Sequence, residues 1–226
     1  MIPIGDNNPA RRFPVVNWIL IVLNIVVFVI EIQQGDDFII RWSFIPIRLT
    51  AMMRGEEEVF VLFTILSAMF LHAGSGHILG NLLFLWIFGD NVEDAFGHLP
   101  YLFFYLFCGM GATFIQYGTD PLSRIPNLGA SGAISGVLAA YMILYPWAIV
   151  RLAIWPIVLL IGTIPVPALL LIGVWFFMQL ASGFQTLGAM MDQGGVAYWA
   201  HIGGFVIGAV LVWFLRPRRP RLSGYF

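Results

Sequence analysis

The sequence predicts an all-α polytopic membrane protein with six transmembrane helices. Three observations carry this. Of its 226 residues, 60% are hydrophobic and only 10% are charged, against roughly 45–50% and about 25% in soluble domains. The apolar residues fall in runs long enough to cross a bilayer, and most of the charged residues gather between those runs. A mean hydropathy of +0.88 agrees. This composition excludes a disordered chain, a nucleic-acid binder and an ordinary soluble enzyme. All eleven basic residues are Arg, and the net charge of −1 gives no reason to expect a polyanionic partner. The single cysteine, Cys108, excludes an intramolecular disulfide and a Cys-rich metal site.

Residues 15–32, VVNWILIVLNIVVFVIEI, form the first span; eighteen residues make about 27 Å of helix, enough for the hydrocarbon core. The run is too long for the apolar part of a signal peptide, and no A-x-A-like cleavage site follows it. Residues 33–58 are polar and mixed, and 59–71 are apolar for only thirteen positions. That length suits a re-entrant or interfacial piece, so 33–76 is expected to form such a loop. The second span starts at His77, runs to about Gly89 and continues through the polar stretch DNVEDAFG. The third covers 99–118, followed by a loop over 119–130 that holds Pro121 and Pro126. The fourth covers 131–145 and is ended by Pro146. Residues 147–167 are apolar but carry Pro156, Pro165 and Pro167. Proline inside a helix costs about 3 kcal/mol, so this stretch reads as an interfacial connection. The fifth span covers 168–184, a glycine-containing loop 185–199, and the sixth span 200–215. The organisation is thus an arm over 1–14, a six-helix membrane unit over 15–216 and a basic tail over 217–226, the arm and tail being too short to form domains.

Six spans place both termini on one side. That side would hold Arg11, Arg12, Arg151, Arg216, Arg218, Arg219 and Arg221, and the other Asp36, Asp37, Glu56, Glu57, Glu58, Asp120 and Asp192. The positive-inside bias makes the termini cytoplasmic. Counting 59–72 as a seventh span would put the Arg clusters on opposite sides, which disfavours it.

Polar residues inside spans are costly and usually functional. Spans two, four and six run in the same direction, so residues that begin them share a depth near the outer side: His77 and Asn81, Ser131, and His201. His77 and Asn81 are four residues apart and project together. Gly132-x-x-x-Gly136 and Gly204-x-x-x-Gly208 are small-xxx-small patterns that let helix backbones approach closely, which a Ser on one helix needs in order to reach a His on another. Each feature alone has a plainer reading: Ser131 and the glycines as helix packing, His201 as an interhelical hydrogen-bonder, Asn81 as glue between helices. Their convergence at one depth weakens that reading. Gly129-Ala130-Ser131-Gly132-Ala133 is not the G-x-S-x-G nucleophile elbow, since residue 133 is Ala and no strand precedes it.

With His77-x-x-x-Asn81 opening span two, Gly129-Ala130-Ser131-Gly132 opening span four and Ala200-His201-Ile202-Gly203-Gly204 opening span six, the sequence resembles the rhomboid intramembrane serine proteases. The resemblance runs from about residue 9 to 215, and the opening NPARRFPVVNWILIVLNIVVFVIEI reads like many bacterial members. It implies a serine endopeptidase that cleaves transmembrane segments of single-span proteins with a dyad: Ser131 as nucleophile and His201 as general base. His77, Asn81 and the backbone N–H of Ser131 would form the oxyanion hole. His72 would support the site and the re-entrant loop, with Gly129, Gly132 and Gly204 shaping it, and Glu93 would structure the cytoplasmic end of span two. Substrate would enter laterally between spans two and five, with Phe84, Trp175 and Phe176 as gate residues and the loop 185–199, which holds Gly188, Gly194 and Gly195, as a movable lid.

Two positions depart from the family pattern. The residue four after the nucleophile, commonly an aromatic that packs on the catalytic imidazole, is Ser135, and the Trp-Arg pair of the first loop is not evident, Arg41-Trp42 being reversed and earlier. Two other classes compete. A catalytically inactive rhomboid-like protein that binds membrane clients usually lacks the Ser or the His, and this chain holds both. A small six-span transporter would carry charged residues along a path or internal repeat symmetry, and neither is seen. Neither a cofactor nor a metal is expected. The partners expected are transmembrane protein substrates and the lipid bilayer, with no nucleic acid; the oligomeric state stays open. No transit peptide is evident, which favours a bacterial or archaeal plasma membrane, with the active site opening to the extracytoplasmic side.

Overall fold

The structure, a computed structural model, describes residues 2–156, 158–186 and 196–215. The first long helix, α1 (Val15–Gln34), follows Pro14 and ends at Gly35, whose φ of 75° no branched residue adopts readily. Its burial is inverted relative to a soluble helix. Asn17, Asn24 and Glu31 face the protein together with Leu20 and Ile21, while Trp18, Ile19, Val22, Ile25, Val26 and Val29 are exposed. Water would penalise such a surface; hydrocarbon does not.

Two short helices, α2 (Asp36–Trp42) and α3 (Pro46–Met53), occupy the polar stretch after α1. Trp42 is packed among Phe38, Phe60 and Phe63, with the Arg41 guanidinium 5.9 Å from its ring. Then α4 (Phe60–Ser67) and a 3₁₀ turn (Ala68–Phe70) lead into α5 (Ser75–Phe96) through a bend of 76°. Such a bend belongs either to a broken span or to a re-entrant piece of the kind expected for 59–71. Next come α6 (His98–Thr119) and α7 (Ser131–Leu144). The helices α9 (Ala168–Thr186) and α10 (Tyr198–Leu215) close the bundle.

Among the described residues, α1, α6, α9 and α10 are long and apolar enough to cross a membrane, and the bent pair α4–α5 makes a fifth when it is counted as one span. Helix α7 has only 14 residues, about 21 Å. It need not meet lipid along its length, because every residue from Gly132 to Tyr141 is buried. It is the central post, packed on by α10, α6 and α5. The small residues set this up. A Cβ on Gly204 would run into the Gly132 carbonyl, and one on Gly208 into the Gly136 backbone. Only glycine allows α10 so close to α7. Around this contact Phe88, Tyr101, Phe104, Tyr105 and Tyr141 are fully buried.

The structure corrects the all-helical expectation. The arm and the 147–167 connection together build a three-stranded antiparallel sheet: β1 (Ile2–Asp6), β2 (Ile149–Ala153) and β3 (Ile164–Pro167), in the order β1-β2-β3. A single turn, α8 (Val158–Ile161), lies between the last two strands. The physical reason is twofold. Proline breaks helix, whereas Ile149, Val150, Ile164 and Val166 are β-branched and favour extended backbone. Along β2 burial alternates, with Val150 and Leu152 inside and Arg151 out. The prolines sit on edge strands, Pro3 on β1 and Pro165 and Pro167 on β3, where a missing N–H does least harm.

The end of α5 is tied to the start of α1. Glu93 accepts the N–H groups of Val16 at 2.9 Å and Asn17 at 2.7 Å, two of the unpaired donors of the α1 N-terminus. Its other contact is His98 Nδ1 at 2.5 Å. Asn17 in turn donates to the Leu85 carbonyl and accepts from the Tyr101 hydroxyl.

Candidate active site

Ser131 is the first residue of α7, and the backbone before it is pinned. Phe44 and Asn127 exchange backbone hydrogen bonds, and the Gly129 N–H donates to the Ala68 carbonyl at 2.8 Å. Gly129 has φ +124°, and a Cβ there would stand 2.8 Å from the His77 ring. Glycine is required twice over, by conformation and by space. The turn thus delivers Ser131 at a helix start with the His77 imidazole close beside it.

His201 lies in the first turn of α10, and its Nε2 is 2.8 Å from Ser131 Oγ. This is full hydrogen-bond contact, made across the α7–α10 seam that the glycines narrow. On its far side, His201 Nδ1 lies 2.9 Å from the Gln179 side-chain oxygen on α9. Trp175, one turn before Gln179, has its ring 6.0 Å from the imidazole at 37°. Ser135, read above as a departure from the family pattern, donates its hydroxyl to the Ser131 carbonyl at 2.7 Å within α7.

His77 and Asn81 project from the first turns of α5 into the same cavity as Ser131 and His201, a space of about 880 Å³ also bordered by Thr113 and Gly129. The Ala73 N–H donates to His77 Nδ1 at 3.3 Å. With Nδ1 accepting, a neutral His77 carries its proton on Nε2, toward Gly129 and Ser131. Asn81 is buried, and among the described residues its Nδ2 has no hydrogen-bond partner. Of the buried polar side-chain atoms without a partner among the described residues, it is the one whose residue lines this cavity.

His72 is buried beneath this layer, its ring edge-on to His77 at 5.1 Å and its backbone N–H donating to Glu31 at 2.9 Å. Of the expected gate residues, Phe84 packs in its own helix against Phe88 at 5.8 Å. Trp175 and Phe176 turn toward α10, Phe176 stacking on Phe205 at 4.0 Å. The glycines of the expected lid, Gly188, Gly194 and Gly195, lie outside the described residues, as does the basic tail; Val196 and Ala197 of the same loop border the cavity.

Sequence reading missed three residues here. Gln179 reaches the imidazole, Gln116 accepts the Ala200 N–H at 3.1 Å and so fixes the start of α10, and Glu31 holds the backbone at His72. The available signal was a polar side chain within or at the end of an apolar span.

Comparison with known proteins points the same way as this constellation. The rhomboid domain matches residues 59–218. The chain is 26% identical over 184 residues to "Rhomboid protein 1, mitochondrial" of Saccharomyces cerevisiae, covering 76% of this chain and 49% of that protein. It is 30% identical over 161 residues to "Rhomboid-like protein 11, chloroplastic" of Arabidopsis thaliana, covering 68% and 52%, and 30% identical over 226 residues to "RHOMBOID-like protein 4" of the same plant, covering 87% and 52%. The chain therefore spans about half the length of these relatives. They are eukaryotic and two carry organellar names, so the expectation of a bacterial or archaeal plasma membrane rests on the sequence alone. With the domain matched over well more than half of its length, and with helices built to face lipid, this integral membrane protein belongs to the rhomboid family.

Proposed function

We propose that the chain is an intramembrane serine endopeptidase in which Ser131 is the nucleophile and His201 the general base. The observation that carries this reading is the 2.8 Å contact between Ser131 Oγ and His201 Nε2 at the wall of a cavity that also holds the open Asn81 amide. In the reaction, the Ser131 O–H gives its proton to His201 Nε2 as Oγ attacks the scissile carbonyl carbon. The carbonyl oxygen becomes an oxyanion and receives hydrogen bonds from Asn81 Nδ2, His77 Nε2–H and the Ser131 N–H. Such donors act because they stand in place before charge develops. His201 then returns the proton to the leaving amine. Water, activated by the same imidazole, hydrolyses the acyl-enzyme and restores Ser131.

The substrate is a transmembrane segment of another protein, unwound locally so that its peptide bond is accessible. Six crossings carry the reading: α1, α5, α6, the short α7, α9 and α10, with 33–76 as the re-entrant loop, 1–14 as the arm and 217–226 as the tail. Both termini are cytoplasmic and the cavity opens to the extracytoplasmic side, from which water enters. Phe84 on one side and Trp175 and Phe176 on the other flank the lateral route.

The test is labelling by a fluorophosphonate or isocoumarin probe of the protein in liposomes. Ser131 is expected to be labelled, and His201→Ala to block labelling. Ser131→Ala is expected to abolish cleavage of a single-span substrate, while Cys108→Ala leaves it intact. A chain that binds such substrates but never takes up the probe is a client-binding relative and not a protease.

A further inference from the structure

We propose that Gln179 is the positioning residue of the dyad: its side-chain carbonyl accepts the His201 Nδ1–H and holds the imidazole in the tautomer that leaves Nε2 bare toward Ser131. The proposal rests on the serine-protease reading and deepens it. A neutral imidazole has one N–H and one lone pair, and which nitrogen carries the proton is set by the partner of the other. Ser131 can be deprotonated only if Nε2 offers the lone pair, so Nδ1 must be the donor. Away from water an unpaired N–H is costly, and an acceptor at Nδ1 is therefore what selects the productive form.

Gln179 Oε1 is placed for this at 2.9 Å. An amide suits the site because it accepts a hydrogen bond without bringing a buried charge. The opposite arrangement, with the amide NH₂ donating to Nδ1, would put the proton on Nε2 and leave Ser131 without a base. The two arrangements differ in one measurable property, the tautomer.

The support comes from one helix. Trp175 and Gln179 are four residues apart on α9 and share a face, and both reach the imidazole. Ser135 gives its hydroxyl to its own helix, so ring support falls to α9. Phe176 stacked on Phe205 seats the same helix against α10. The orientation of the base and the seating of α9 are consequently one unit: an α9 that swings away from α10 takes the Nδ1 acceptor with it, and the dyad works only when α9 is home.

The experiment is imidazole ¹⁵N NMR on protein labelled at histidine, with His201→Ala used to assign the signal, in parallel with steady-state cleavage. Wild type is expected to show His201 protonated on Nδ1. Gln179→Met, similar in length but without the acceptor, should show a mixture with Nε2–H and a fall in kcat of about tenfold or more at little change in KM. Gln179→Glu keeps an oxygen acceptor at the same reach and should restore the Nδ1–H signature. The proposal is overturned if wild type carries the proton on Nε2, or if Gln179→Met keeps both the wild-type tautomer and kcat. It is also overturned if Gln179→Met loses kcat with the tautomer unchanged, since that is a packing effect. The tautomer is read without turnover, so an unreactive Ser131 would sink the protease reading and still leave Gln179 decided.

Discussion

Asn81 and Glu93 are buried polar residues on the same helix, α5, and they live in opposite circumstances. Glu93 is closed. Its two oxygens take the Val16 and Asn17 N–H groups and meet His98, and Asn17 is itself satisfied by Leu85 and Tyr101. Asn81, twelve residues earlier and about 18 Å along the helix, is open: its Nδ2 has no partner among the described residues, and Asn81 lines a cavity shared with Ser131, His77 and His201. A buried polar group whose hydrogen bonds are all made inside the protein holds the fold. One left unmade is a cost to folding, and a place in the same cavity as the proposed nucleophile would give that cost a use.

That contrast can be tested from both ends. The largest effect expected is at Asn81. On the proposed mechanism Asn81→Ala removes one oxyanion donor while His77 and the Ser131 N–H remain, so cleavage of a single-span substrate should fall by about 10²–10³-fold. The unfolding midpoint should hold or rise, because an unsatisfied amide has been removed. A large loss of stability with cleavage intact would mean that Asn81 is fold glue.

Glu93→Ala should behave in the reverse way. It leaves the Val16 and Asn17 N–H groups in the first turn of α1 without their acceptor, at about 1–3 kcal/mol each. A clear drop in the unfolding midpoint in detergent is expected, with kcat of the folded fraction near wild type. Unchanged stability together with lost turnover would erase the distinction between the two ends.

Much of this was legible in the sequence, for a reason that can be stated. Apolar runs bounded by Gly35, Gly97 and Pro146 mark α1, α5 and α7 to within a few residues, because a span must satisfy its backbone internally and its composition cannot vary freely. Alternate spans share a direction, so counting them brings His77, Asn81, Ser131 and His201 to one depth before any contact is known. The sheet was not legible. Its strands have four or five residues, the two edge strands contain proline, and β1 meets a partner some 150 positions away, with Ile2 opposite Ala153. No local periodicity announces such a pairing. Gln179 was hidden differently: a single amide in an apolar helix carries no pattern, and its meaning appears only when α10 packs beside it.

The smallest effect expected tests whether the closed end is uniformly closed. Asp6, on β1, accepts from the Tyr141 hydroxyl, ten residues down α7 from Ser131. Burial pushes its carboxyl above the usual aspartate value, more strongly than the hydrogen bonds from Tyr141 and Asn8 pull it down. The folded state therefore holds this proton more tightly than the unfolded chain does. Stability from this group is greatest below the unfolded pKa and declines as pH rises through the folded one. Asp6→Asn keeps an acceptor for Tyr141 and removes the charge. Across the mildly acidic range, the unfolding midpoint of wild type should fall with rising pH relative to that of the Asn variant, with cleavage rates the same in both. Parallel curves would mean that Asp6 pairs as an ordinary surface carboxylate. A steeper fall in the variant would mean that the charged form, held by Tyr141, is the one the sheet requires.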